Sequence, residues 1–196
     1  MASLILYIDG SDNKSSVKKR RDIGWALVAL HEGQMVERAG AYCLPQDMAG
    51  CHELVAFLEA SRYAQQAGFP PEAVAVYTDD AIIGYAGAWF HPENYAPKRA
   101  EAVILRLKAV SNALFTESDL ELGLNYLKKA RFHKLKSHRF CVYNNRVDYL
   151  AKSLAKNAPI MSYCEWLKNG ITYYTAPDVS QVWHPPFSFE GSVGAA

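Results

Sequence analysis

Three extended runs open the chain with no helix between them, whereas each later extended run is set apart by helical segments. Ser3 to Ile8 is short, apolar and rich in β-formers, and Asp9-Gly10-Ser11 after it reads as a turn. Ile23 to His31 and Met35 to Leu44 are two further strand patterns, joined through Glu32-Gly33 as a hairpin. Ala73 to Thr78 is a compact apolar strand ending at Asp79 and Asp80, and Phe132 to Ser137 is a further candidate central strand. Helical patterns cover Met48 to Ala67, with Leu54, Phe57, Leu58 and Ala64 at helical spacing, then Pro97 to Phe115 and Asn144 to Lys156. Another runs from Ser118 to Ala130, with Ser118 as its cap and Glu121 three residues on, and residues 80–95 mix helix and loop. Hairpin-linked strands followed by helical crossovers predict an α/β fold, a mixed sheet with helices on its faces.

The 196 residues suit one domain with some chain left over, and a 50% hydrophobic composition with 21% charge excludes wholesale disorder. The predicted division is a domain over 1–158 and an appended segment over 159–196, where Pro, Gly and Ser accumulate. Its Trp166, Trp183, Pro185, Pro186, Phe187 and Phe189 suit packing on the domain or on a protein partner. A net charge of +1 makes any nucleic-acid footprint a local one. Cys43, Cys51, Cys141 and Cys164 form no CxxC pair, which disfavours zinc. With no signal peptide and no apolar run long enough to span a bilayer, the expected setting is cytoplasmic, without a membrane partner.

In open sheets the usual active site lies at the carboxyl ends of parallel strands, where Asp9 and Asp79 both fall. Glu53, early in a helix, and Asp148, in the last domain helix, complete a set of four acids. Divalent-metal phosphoryl chemistry needs such convergent carboxylates, because hard oxygen ligands hold the ions. Each acid also has a plainer reading: Asp9 as turn chemistry, Glu53 as a dipole-favoured surface residue, Asp79 or Asp80 as a helix cap, Asp148 as a solvated position.

Four segments in this order resemble type 1 ribonuclease H. Tyr7 to Ser11 (YIDGS) is similar to the family's first strand with its leading metal-binding Asp, and His52 to Ala60 (HELVAFLEA) to the helix opening on the second ligand. Val76 to Asp80 (VYTDD) is similar to the strand whose Thr-Asp supplies the third ligand, which favours Asp79 over Asp80. Leu135 to Ala155 resembles the last strand, the His loop and the helix carrying the fourth, with His138 ten residues and Asn144 four residues before Asp148. The resemblance spans residues 4–157 and implies a ribonuclease H-like, mixed five-stranded sheet whose first three strands are antiparallel.

It further implies hydrolysis of the RNA strand of an RNA–DNA hybrid with two Mg²⁺ or Mn²⁺ ions held by Asp9, Glu53, Asp79 and Asp148. His138 would relay protons as general acid/base, although a plain loop histidine is the alternative. Asn144 reads either as a helix cap or as a substrate-positioning residue, with Gly10, Ser11, Lys136 and Arg139 as further substrate contacts.

The chain departs from the family in four places. A basic loop (Lys14, Lys18, Lys19, Arg20, Arg21) replaces a short glycine-rich one, and suits either solvent or phosphate contact. Gly50 and Cys51 replace polar residues that help read the hybrid, Asp80 and Ala81 replace Ser-Gln, and Ser137 replaces a glycine. Trp89, Phe90, His91 and Tyr95, followed by Lys98, Arg99, Arg106 and Lys108, stand where the family has its substrate-binding protrusion; helix packing is the plainer reading. The runner-up functions are a nuclease of this superfamily with another nucleic-acid substrate and a non-catalytic nucleic-acid-binding module on the same scaffold.

Overall fold

The computed structural model describes residues 3–13, 20–45, 48, 50–91, 95–135 and 141–170. Leu4–Asp12 (β1), Arg20–His31 (β2) and Gln34–Pro45 (β3) form an antiparallel meander. At its second corner Glu32 and Gly33 take φ of 47° and 78°, the paired positive values of the two-residue turn that suits strand twist. His52–Gln66 (α1) crosses to Val74–Thr78 (β4), which lies parallel to β1. Ala81–Phe90 (α2), Pro97–Leu114 (α3) and Glu117–Lys129 (α4) then lead to Arg131–Lys134 (β5), parallel to β4. Val142–Ala155 (α5) and Tyr163–Gly170 (α6) follow. The sheet order is β3-β2-β1-β4-β5, the mixed five-stranded arrangement expected.

Alternation along β1 sends Leu4, Leu6 and Ile8 into a core with α1 (Leu54, Phe57, Leu58), α3 (Val103, Leu107) and α4 (Leu127). The opposite face, with Ala26 and Val28 of β2, packs on Val147, Leu150 and Ala151 of α5 and on Trp166 of α6. Packing therefore runs past residue 158 through α6, where Trp166 is only 2% exposed.

Several boundaries differ from the sequence expectation. Asp9-Gly10-Ser11 is not a turn: the three residues pair with Ala26, Trp25 and Gly24, because the long ladder to β2 overrides a local turn preference. The cap of α4 is Thr116 rather than Ser118; it exchanges hydrogen bonds with Asp119, with Asp119 N to Thr116 Oγ1 at 3.2 Å and Thr116 N to Asp119 Oδ2 at 2.9 Å. The strand expected at the sheet centre is the four-residue edge strand β5, half of whose positions stay exposed. Asn144 lies inside α5 and not at its cap, which is Cys141.

Two glycines set the interlayer distances. A Cβ on Gly10 would stand 2.4 Å from the carbonyl of His52, and one on Gly24 would stand 2.0 Å from the carbonyl oxygen of Ala151. Both obstacles are backbone, so no rotamer change relieves them. Gly24→Ala should push α5 off the sheet and cost about 1–3 kcal/mol, a fall of roughly 2–12 °C in Tm. An unchanged melting temperature would show that α5 is not seated on that glycine.

Candidate active site

Tyr7 lies opposite Tyr77 in the β1–β4 ladder, so Asp9, still within β1, and Asp79, just past β4, each follow by two residues where the pairing of the two strands ends. Asp9 is 5% exposed. The close approach at Gly10 brings the first turn of α1 over β1, and the Gly10 amide donates to Glu53 Oε2 at 3.1 Å. The close approach at Gly24 lays α5 on β2, next to β1, and so presents Asp148 to Asp9. The Asp9 carboxyl faces both Glu53 and Asp148, close enough for their side chains to act on it.

Burial pushes the Asp9 carboxyl well above the ordinary carboxylate range; the charges of Asp148 and Asp79 push it the same way, against a lesser opposing pull from Glu53. Burial likewise raises Glu53, followed by the charges of Asp9, Asp80 and Asp79. Among the described residues nearby positive charge is scarce. Lys152 Nζ lies 2.7 and 2.8 Å from the two oxygens of Asp148, and His52 Nε2 stands 3.8 Å from Glu53 Oε1. An acid cluster this poorly neutralised must hold protons or take cations.

The donors are all hard oxygens, the kind that suits Mg²⁺ or Mn²⁺ rather than a soft metal. Among the described residues, however, no three His, Cys, Asp or Glu side chains already close on a point fit for an ion. Asp148 directs both oxygens to Lys152, and Glu53 uses Oε2 on the Gly10 amide. The acids thus suit a divalent ion in kind, and their side chains would have to rotate to complete a ligand set.

The neighbouring groups divide the work. Asp80 caps α2, its Oδ1 accepting from Ile83 N at 2.7 Å, while its own amide donates to Thr78 Oγ1 at 3.0 Å. Lys134 Nζ donates to the Asp79 carbonyl at 2.6 Å and to Leu135 O at 2.8 Å, tying down the backbone of the β4 end. Asn144, one turn before Asp148, is 4% exposed, and its Oδ1 has no hydrogen-bond partner among the described residues. Ser11 sits half-buried in the ladder opposite Gly24. Lys136, His138 and Arg139 lie outside the described residues, as do Lys14, Lys18 and Lys19. At the α2–α3 corner Tyr85 and Tyr95 are exposed, and the Arg99 guanidinium lies 5.6 Å over the Trp89 ring.

Sequence reasoning did not single out Lys152, which was findable, since a residue four positions from a helical Asp shares its face. In the sequence Lys134 reads as one of a basic cluster with Lys128, Lys129, Arg131, Lys136 and Arg139, suited to phosphate; the structure commits its ammonium to the carbonyl of Asp79, 55 residues away in the chain.

No family model and no curated protein matches the chain. Solved structures do. The N-terminal ribonuclease H domain of a Mycobacterium tuberculosis protein matches with a TM-score of 0.52 at 12% identity, over 80% of this chain and 96% of that one. The chain has the ribonuclease H fold. Two further structures with that fold match at a TM-score of 0.50. LC11-RNase H1, isolated from compost by a metagenomic approach, is 16% identical over 80% of this chain and 98% of its own. LC9-RNase H1, a type 1 ribonuclease H with the type 2 active-site motif, is 15% identical over 93% of this chain and 86% of its own. At such identities the likeness is one of fold, and the chemistry rests on this chain's own side chains. Among the described residues of this ribonuclease H fold, no helix is long and apolar enough to cross a membrane.

Proposed function

We propose that this chain is a divalent-metal-dependent nuclease of the type 1 ribonuclease H kind, which hydrolyses the RNA strand of RNA–DNA hybrids. The observation that carries this reading is the meeting of Asp9 with Glu53 and Asp148, beside Asp79, where the β1–β4 pairing of a ribonuclease H fold ends. Asp9, Glu53, Asp79 and Asp148 would hold two Mg²⁺ or Mn²⁺ ions. When bound, such ions supply Lewis-acid chemistry for phosphodiester cleavage.

The chain's own groups prepare the site. The Gly10 amide orients Glu53, Lys134 steadies the strand end that bears Asp79, and Lys152 holds Asp148 beside Asp9. Asn144 offers a buried amide oxygen one helical turn from Asp148, suited to hold a water or a sugar hydroxyl of the substrate. His138 is the proposed proton relay, and Lys136, Arg139 and the basic loop are the proposed backbone-phosphate contacts.

The test is cleavage of a labelled panel (hybrid, duplex DNA, duplex RNA and single strands) with Mg²⁺ and with chelator. Hybrid cleavage that chelator abolishes is the expected result. Metal-dependent cleavage of another member alone would keep the site and replace the substrate. Inertness toward the whole panel, with carboxylate-dependent Mg²⁺ binding absent by calorimetry, would leave only a binding module on this fold.

A further inference from the structure

Tyr7, Tyr77 and His133 occupy neighbouring strands at one level of the sheet, Tyr7 opposite Tyr77 and Tyr77 opposite His133. Their rings stack, with centroids 5.1 Å apart at 25° for the first pair and 4.5 Å apart at 18° for the second. Those spacings match the ~4.8 Å between adjacent strands, so the rings stand on the sheet like pages of a book. Tyr143 of α5 closes the inner end, 5.2 Å from Tyr7, and the Tyr7 hydroxyl shares a hydrogen bond with Cys141.

The outer end is different. His133 is exposed on edge strand β5, and Arg131, two residues earlier and so on the same face, is exposed as well. α5 packs over β1, β2 and β3, on the far side of the stack from His133. Asp9 follows Tyr7 by two residues within β1 and so leaves the sheet on this same face, about 7 Å further along the strand, and Asp79 follows Tyr77 by two residues just past the end of β4.

We propose that the outer face of His133 is a stacking seat for an unpaired nucleobase of the bound nucleic acid, with Arg131 placed for that nucleotide's phosphate. The inference deepens the nuclease reading and rests on it. An aromatic face accepts any base, and an adjacent guanidinium holds the backbone without reading sequence. Only an unpaired base has a free face to offer, because a paired one is stacked on both sides. The offset from the acids, one dipeptide along and one strand across from Asp79, is on the scale of a nucleotide step, so a strand entering or leaving the acid cluster passes this edge.

The full-length protein is mixed, in EDTA, with RNA–DNA hybrids bearing a single-stranded extension that carries 2-aminopurine at successive positions, on each strand end in turn. Stacking quenches that base, so fluorescence should fall several-fold at one or two positions on binding. His133→Ala should remove the quench and weaken the extended hybrid roughly tenfold, leaving affinity for the blunt hybrid unchanged as a check on folding. His133→Tyr should restore both. Equal quenching in His133→Ala, or none at any position of a bound extension, overturns the inference, even where Mg²⁺-dependent cleavage of the blunt hybrid persists. Quenching that emerges only after deletion of residues 171–196 also overturns it, since the chain's own tail then holds the seat. If the blunt hybrid is neither bound nor cleaved, the reading of the chain as a hybrid-cleaving nuclease fails and the inference with it.

Discussion

Asp9→Asn should lower nuclease activity at least a thousandfold while raising the melting temperature of the metal-free protein. The substitution keeps size and shape and removes one charge from the centre of the acid cluster. Loss of activity follows from the transition-state charge that an Asp9-held cation would have balanced: several kcal/mol, at tenfold per ~1.4 kcal/mol. The gain in stability follows from the raised carboxyls. Asp9 and Glu53 ordinarily titrate near 3.8 and 4.5, and both stand well above that in the folded chain. A raised carboxyl takes up its proton on folding, so its contribution is intact below the ordinary value and is lost as pH rises through the folded one. Each unit of pH in that window costs up to about 1.4 kcal/mol per group.

The metal-free wild type should therefore lose stability from about pH 4 upward, and Asp9→Asn should flatten that slope by relieving Glu53 as well. Mg²⁺ should do the same for the wild type and little for the variant, because an ion that binds only the folded state stabilises by mass action. Thermal melts at several pH values, with and without Mg²⁺, read all of this from one set of samples. Superimposable pH curves for wild type and variant, with cleavage retained, would mean that Asp9 is not the hub of a charged cluster.

Three of the acids were legible because they stand at local landmarks, whereas Asp148 stood out only through the resemblance of its segment to the family. Asp9 and Asp79 end short apolar runs, and Glu53 lies in the first turn of a well-patterned helix. The fold was legible for a related reason: three strand patterns without an intervening helix leave few topologies. What stayed hidden depends on residues distant in the chain. Asp9-Gly10-Ser11 has the composition of a turn, and only the partner strand, through Trp25 and Gly24, keeps it extended. In the sequence Gly10 reads as part of a turn or as a substrate contact and Gly24 as one position of a strand; their lack of a side chain matters because α1 and α5 rest there. The stack of Tyr7, Tyr77 and His133 is invisible until register places three strands side by side. Asn144 could be read as a cap only while the start of α5 was uncertain by two residues.

Glu37→Leu should cost about 3–5 kcal/mol, or roughly 6–20 °C in Tm. Arg146 looks like an ordinary solvated cation in Asn-Asn-Arg-Val-Asp, yet its side chain is 0% exposed. Its Nε and Nη2 donate to Glu37 Oε1 and Oε2 at 2.8 and 2.9 Å, across 109 residues, and Nη2 also donates to Met161 O at 3.1 Å. The guanidinium lies 5.4, 5.7 and 5.5 Å from the rings of Tyr149, Tyr163 and Trp166, within cation–π range. This one side chain therefore ties α5 to β3 and to α6. Leucine at position 37 leaves a buried cation with only a carbonyl and three rings, and desolvation without a counter-charge outweighs what they supply. Adding Arg146→Met to Glu37→Leu should recover most of the loss, since apolar side chains of similar volume replace a buried pair at little cost. Limited proteolysis should cut near Met161 faster in the single variant than in the wild type, because the start of α6 loses its anchor. A single variant within 1 kcal/mol of the wild type, or a double variant as unstable as the summed singles, would show that the Arg146–Glu37 pair does not hold α6 to the domain.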